Sequence, residues 1–290
     1  MKKSFIKYVL LIAFVMYFEA VLSSSASAWV SVNRTNFPDA NFRSYVSTYI
    51  DKDHNGQLSF SEIYKVTSLN LKNKGIYDLT GIKTFTKLTS LTLSNKASSV
   101  VPIGGNAINT LDLSDMPFLK YLEADYIALK SLNVSRCSSL IKISCKGNKL
   151  TSLNLAYLTS LQELYCESNN LSGQLNLYTN IGLQVVNCNN NKLTSLKIGG
   201  TAIREIRCEN NLITKIELNK AAGPRKLYCK GNRLTQLDFE KGRSAYICGY
   251  ANFRTLMFGT VSDGIQETGP LSATKISETI NKKLYQYKMN

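Results

Sequence analysis

The sequence carries a single histidine, His54, among 290 residues, and its seven cysteines form no C-x-x-C pair. A Ser-His or Cys-His catalytic pair and a cysteine-histidine zinc site are therefore disfavoured. It also lacks any apolar run of about 20 residues, the length a membrane-crossing helix needs. Acidic side chains are scarce, with 20 Asp and Glu against 35 Lys and Arg. Such an imbalance favours acidic partners such as anionic polymers, carboxylated or sulfated glycans, or acidic proteins. The bases are spread rather than bunched, so a plain solvated basic surface fits equally well, and no specific nucleic-acid site is expected.

What is present begins with a leader. Met1-Lys2-Lys3-Ser4-Phe5-Ile6-Lys7 is basic, Tyr8 to Phe18 is apolar, and a Ser/Ala cluster ends in Ala26-Ser27-Ala28. This is the pattern of a signal peptide over residues 1–28, cut before Trp29; an uncleaved anchor is the alternative. The expected mature chain is secreted and extracellular, with a surface-associated form open, and has no transmembrane segment. Without Lys2, Lys3, Lys7 and Glu19 it keeps 32 basic and 19 acidic residues, a formal charge of +13.

Seven cysteines in an exported chain would suggest disulfides, but their spacing does not. Cys145, Cys166, Cys188, Cys208 and Cys229 recur at steps of 21, 22, 20 and 21 residues. Around them the segments Ile143-Ser144-Cys145-Lys146-Gly147-Asn148-Lys149-Leu150 and Leu164-Tyr165-Cys166-Glu167-Ser168-Asn169-Asn170-Leu171 read L-x-C-x-x-N-x-L, and three further copies follow. That is a leucine-rich-repeat signature with Cys in place of one core leucine. The L-x-C spacing puts two side chains inside a short parallel strand and turns Tyr165, Asn187, Arg207 and Tyr228 outward. The Asn three places on is expected to turn inward and satisfy backbone groups, one rung per coil. Neighbouring cysteines in such a stack read as free buried thiols, with Cys137 outside the period and Cys248 in the terminal copy.

A second apolar pair follows in each coil: Leu153 with Leu155, Leu175 with Leu177, Leu196 with Ile198, Ile216 with Leu218, and Leu237 with Phe239. This side is short and rich in Thr, Ser and Asn, so a strand-like side rather than a helix is expected. Weaker copies reach back through Leu122, Leu132, Leu111 and Leu91 to Leu69, with an irregular insertion from Lys96 to Ala107. The expected fold is mostly β (α+β): a solenoid of about 21-residue coils over residues 67–248, a helical cap over 29–66, and a C-terminal cap and tail over 249–290.

Before the repeats stands Asp51-Lys52-Asp53-His54-Asn55-Gly56-Gln57-Leu58-Ser59-Phe60-Ser61-Glu62, which fits the EF-hand loop D-x-[DN]-x-[DN]-G-x5-E at every defined position. Calcium takes six to eight hard oxygens. Asp51, Asp53 and Asn55 offer side chains, Gln57 its carbonyl, Ser59 a direct or water-borne contact, and Glu62 a bidentate carboxylate. Phe42, Tyr45, Val46, Tyr49 and Ile50 mark an amphipathic helix leading in, and Ser61 to Val66 a short helix leading out. A single loop in an exported chain suits a brace for the first coil better than a signalling switch.

Asn36-Phe37-Pro38-Asp39-Ala40-Asn41-Phe42-Arg43, the loop ending in Glu62, Leu79-Thr80-Gly81-Ile82 and the L-x-C-x-x-N-x-L coils together resemble the secreted, internalin-like leucine-rich-repeat proteins of gut and soil Firmicutes. The resemblance runs from Val32 to Tyr250. It implies a calcium-binding cap and a repeat surface that contacts protein or glycan, often at a cell surface. The wall-binding or immunoglobulin-like modules that often accompany such repeats are not recognisable here. The expected function is a non-enzymatic binding protein for an extracellular protein or glycan. The alternatives are a dockerin-like assembly module, which would need a second loop, and a secreted carbohydrate-active accessory protein.

Overall fold

Each repeat closes one turn of a coil, and the turns stack through short parallel strands. In the computed structural model, residues 29–97, 101–218 and 226–234 are described, together with the backbone of strands Gln236–Phe239, Tyr246–Cys248 and Thr255–Phe258. The leader at 1–28 and most of the tail lie outside them. Nine strands form one sheet in the order in which the coils succeed one another, from Ser68–Asn70, Ser90–Thr92, Tyr121–Glu123 and Lys142–Ser144 through Glu163–Tyr165, Val185–Asn187 and Glu205–Arg207 to Lys226–Tyr228 and Tyr246–Cys248. The register is strict: Leu69, Leu91, Leu122, Ile143, Leu164, Val186, Ile206 and Leu227 lie side by side. All eight are buried. A slip by one residue would turn this whole row to solvent, which is what fixes the pairing.

The opposite side of the coil is β as well, but broken. Thr110–Asp112 pairs with Ser131–Asn133, Ser172–Leu177 with Lys192–Ile198 and then Lys215–Leu218, and Gln236–Phe239 with Thr255–Phe258, all parallel. No strand forms at Leu153 and Leu155, although Leu155 is buried. Leu111, Leu113, Leu132 and Val134 thus belong to this second side. Thr255–Phe258 adds a strand within the segment read as cap and tail. One apolar core runs without interruption from Phe37 to Leu234.

The interior column after the leucines is Leu71, Leu93, Ala124, Cys145, Cys166, Cys188, Cys208 and Cys229, all buried. The six described cysteines, Cys137 included, are buried free thiols. Next comes the asparagine ladder. Asn191 Nδ2 donates to the Cys188 carbonyl of its own coil and to the Cys166 carbonyl of the coil before, each at 3.1 Å, while its Oδ1 accepts from Leu171 N–H at 2.9 Å. Asn169, Asn211 and Asn232 repeat this arrangement. Each side chain therefore ties two coils together through groups that would otherwise be buried and unpaired.

The ladder has a rung that the spacing hides. Asn106 donates to the Leu71 and Leu93 carbonyls at 2.7 and 2.6 Å and accepts from Lys74 and Ile76 N–H, the same pattern one coil after another. By count the rung belongs at Lys96, but the insertion carries it ten positions further on. Asn95 clasps the neck of that excursion, accepting from Asn106 N–H and donating to the Asn106 carbonyl, both at 2.8 Å. The insertion is thus spliced out of the coil, and the stack continues beneath it.

At the N-terminus, helix α1 (Ala40–Tyr49) starts at Asp39 and buries Phe42 and Val46, and helix α2 (Phe60–Lys65) starts at a capping box between Ser59 and Glu62. Asp39 has two tasks: one carboxylate oxygen caps Phe42 N–H and the other accepts from Tyr77 and Asp78 N–H of the first coil. Phe37, edge-on to Phe42 and stacked on Phe85, completes the junction. The cap is therefore continuous with the solenoid core rather than hinged to it.

Candidate functional site

Two constellations stand out, the cap loop and the outer face of the nine-stranded sheet. In the loop, carboxylate oxygens of Asp51, Asp53 and Glu62 lie within 4.8 Å of one another. Asp51 is buried at 1% exposure. Its two oxygens accept from Asn55 N–H at 3.2 Å and Gly56 N–H at 3.0 Å. Gly56 takes φ +79, the left-handed bend that favours glycine. Among the described residues no lysine or arginine pairs with any of the three carboxylates.

The other residues of the motif have partners of their own. Asn55 donates to Asp53 and accepts from Gln57 N–H. Ser59 Oγ donates to Glu62 Oε2 at 2.7 Å and accepts from Glu62 N–H, so it serves as the helix cap. Lys52 N–H reaches the other Glu62 oxygen at 2.6 Å. Burial raises the Glu62 carboxyl, but the Ser59 and Lys52 donors outweigh it and hold the group below its ordinary range. Gln57–Leu58 pairs antiparallel with Val30–Ser31, so the loop's free strand edge is covered by the chain's own N-terminal segment.

On the sheet face, side chains between the buried rows point outward as expected: Tyr165, Asn187 and Tyr228 are half-buried and Arg207 is exposed. The sheet register sets them in columns, and their charges alternate. Lys72 pairs with Glu123 at 3.3 Å, Lys142 with Glu163 at 3.1 Å, Lys146 with Asp125 at 3.7 Å, and Arg207 with Glu205. Lys142 also lies over the Tyr165 ring and Arg207 over the Tyr228 ring. With Glu167, Glu209, Lys226 and Lys230, the acids and bases of this face balance. The chain's basic excess therefore resides elsewhere.

Two carboxyls on the face are strained electrostatically. Burial pushes Asp125 up, against the Ser144 hydroxyl at 2.7 Å and the more distant Lys146 ammonium, which pull it down without prevailing. Burial likewise raises Glu167, whose Oε2 is buried without a hydrogen-bond partner. Sequence reading missed Asp125, Glu123, Lys72 and Lys146; their signal was present in the outward positions of each coil, but outward positions alone do not say which of them converge. The buried thiols are poor nucleophiles, since desolvation raises Cys188 to about 12 and Cys166 and Cys208 well above the ordinary thiol value.

Comparison with known proteins bears on the fold. Residues 37–167, under half of the chain, match the family model described as the LRR domain of the endo-beta-N-acetylglucosaminidase EndoS. Among solved structures, internalin C2 of Listeria monocytogenes is similar over 79% of this chain and 97% of that one, at 15% identity and a TM-score of 0.50. The fold is a leucine-rich-repeat solenoid. Internalin InlF of the same organism overlays 83% of the solenoid chain and 100% of its own at 16% identity and TM-score 0.38. The InlJ functional domain, described as including a cysteine ladder, overlays 82% and 73% at 18% identity and TM-score 0.25. No curated protein sequence matches the solenoid chain.

A carboxyl raised on folding adds stability below its unfolded value and loses it as pH climbs through the folded value. Glu167→Gln should therefore raise the melting temperature near neutral pH, and the gain should fade as pH falls toward the ordinary glutamate range, because the raised wild-type carboxyl takes up its proton before that range is reached. Thermal unfolding of both chains across that range checks this.

Proposed function

We propose that this chain is an exported recognition module: the outer face of its nine-stranded sheet contacts an extracellular protein or glycan, and a calcium ion braces its N-terminal cap. The observation that carries the first part is the sheet face itself, a rigid ladder that presents the aromatic rings of Tyr121, Tyr165 and Tyr228 together with the ion pairs Lys142–Glu163, Lys146–Asp125 and Arg207–Glu205. Loops and flexible surfaces lose entropy on binding; a hydrogen-bonded stack has little left to lose. Export rests on the leader at residues 1–28. Among the described residues no helix is long and apolar enough to cross a membrane.

A calcium role is supported by the donor set. Three carboxylates gathered within 4.8 Å, one of them buried and none salt-bridged among the described residues, repel one another and suit a hard divalent cation. Asp51, Asp53 and Glu62 would hold it, with Asn55 and the Gln57 carbonyl completing the shell and Ser59 engaged mainly in shaping Glu62. Bracing is the better reading than assembly, because Val30–Ser31 already occupies the edge on which a partner loop would pair. A carbohydrate-active accessory role is favoured by one finding, the glycosidase named in the matching family model. It is a variant of the same recognition reading, and the raised thiols and paired carboxylates of the face offer no activated nucleophile.

Calcium in about hundredfold excess over its dissociation constant should stabilise the mature chain by about 2.7 kcal/mol relative to chelator, seen as a rise in melting temperature, and Glu62→Ala should abolish the rise. Equal melting with and without calcium would exclude the brace. For the face, glycan and extracellular-protein arrays probed with the mature chain should give signals that Tyr165→Ser, Arg207→Ser and Tyr228→Ser together remove and that Lys192→Ser with Lys215→Ser leave in place.

A further inference from the structure

One part of the sheet face is concave at the scale of a small molecule. A depression of about 410 Å³ opens beside the neck of the insertion, between Asn95 and Ala97 on one side and Tyr165 on the other. Its floor and walls include Lys72, Glu123, Asp125, Tyr126, Lys142 and Lys146. The size falls in the range of small-ligand sites, about 300 to 1,000 Å³.

The lining selects among ligand classes. Each acid in it faces a base: Lys72 and Glu123 are 3.3 Å apart, Lys146 and Asp125 3.7 Å, and Lys142 is held by Glu163 just outside. An anion would have to break one of these pairs and face the released carboxylate, and a cation meets the converse obstacle. An apolar ligand would bury these charges with nothing to hydrogen-bond them. What suits adjacent carboxylate and ammonium groups is a neutral molecule with neighbouring hydroxyls, each of which can donate to a carboxylate oxygen and accept from an ammonium.

Tyr126 supplies an independent observation. The residue just before each inward asparagine from Asn148 to Asn232 lies in the left-handed region: Gly147, Ser168, Asn190, Asn210 and Gly231 take φ between 54 and 72. These are the small or Asx residues that tolerate it. Tyr126 occupies the same column at φ 57, a costly place for a bulky aromatic. The next coil makes room: a Cβ on Gly147 would collide with the Tyr126 ring, so the ring lies where only a glycine permits it. Gly, Asn and Ser hold the same backbone conformation in the other coils, so the conformation itself does not call for tyrosine, whereas an aromatic ring at the margin of a polar depression is a platform for the C–H face of a sugar.

We propose that this depression is a subsite for one residue of a neutral oligosaccharide, with the Tyr126 ring against the sugar face and the Lys146/Asp125 and Lys72/Glu123 pairs bridging its hydroxyls. This rests on reading the sheet face as the recognition surface. The test is titration of the full mature chain, by calorimetry, with cellotetraose and tetra-N-acetylchitotetraose as neutral probes and tetragalacturonate as an anionic one. At least one neutral probe should bind saturably, with little dependence on salt, and Tyr126→Gly should weaken it by about tenfold or more. Because glycine suits the left-handed backbone there, Tyr126→Gly should fold and melt no lower than wild type, which separates lost binding from lost structure. Binding of tetragalacturonate alone, binding of none of the three, or binding untouched by Tyr126→Gly overturns the proposal. If the probes fail while the array signals are still lost on substituting Tyr165, Arg207 and Tyr228, the sugar subsite falls and the recognition surface stands.

Discussion

Every other feature of this molecule depends on how a coil just over twenty residues long satisfies its own backbone when it is stacked between two others. Strands of three residues cannot do it alone, because most of the coil is turn, and its amides and carbonyls face an interior without water. The inward asparagines solve this by carrying a donor pair and an acceptor on a short side chain that spans two coils at once. Asn106, Asn148, Asn169, Asn191, Asn211 and Asn232 do so from six of the coils. Among the described residues two coils depart, with exposed Lys74 and buried Ile127 in the rung position, and in each case the next asparagine, Asn106 or Asn148, accepts from the N–H of that residue as well as from the N–H two places on.

From this constraint the outer face follows. A backbone pinned at each turn holds the strands in register, and register aligns the outward side chains in columns. Opposite charges pair across neighbouring coils, as Lys142 does with Glu163, and leave the face neutral although the chain is basic. Cysteine in the interior column is a packing choice, small enough for the crowded stack and too desolvated for chemistry.

Much of this was legible in the sequence, because the repeat imposes the same physical demands five times over and chance does not mimic that. The L-x-C-x-x-N-x-L spacing placed the buried rows, the inward asparagines and the outward Tyr165, Arg207 and Tyr228. The helix boundaries came close as well: the first helix starts at the expected Asp39 cap, and the second runs Phe60–Lys65 against the expected Ser61 to Val66. What escaped was whatever the period does not encode. Asn106 is displaced by the insertion, although the resumed Asn106-Ala107-Ile108 echoes the N-x-L of the other coils. The depression at Asp125, Tyr126 and Lys146 is lined from five successive coils, and which outward residues converge is a matter of stacking geometry. The charge balance of the face could not be read from a whole-chain count, which averages over every surface.

The account is tested most directly by hydrogen exchange in an Asn191→Ala variant. The Leu171 amide, which donates to Asn191 Oδ1 at 2.9 Å, belongs to the preceding coil, so only an inter-coil role for the asparagine links the two. Loss of the rung should cost about 1 to 3 kcal/mol and speed exchange at Leu171 well beyond that of amides several coils away. If Leu171 remains as protected in the variant as in the wild type, the asparagine ladder is not what holds coil to coil.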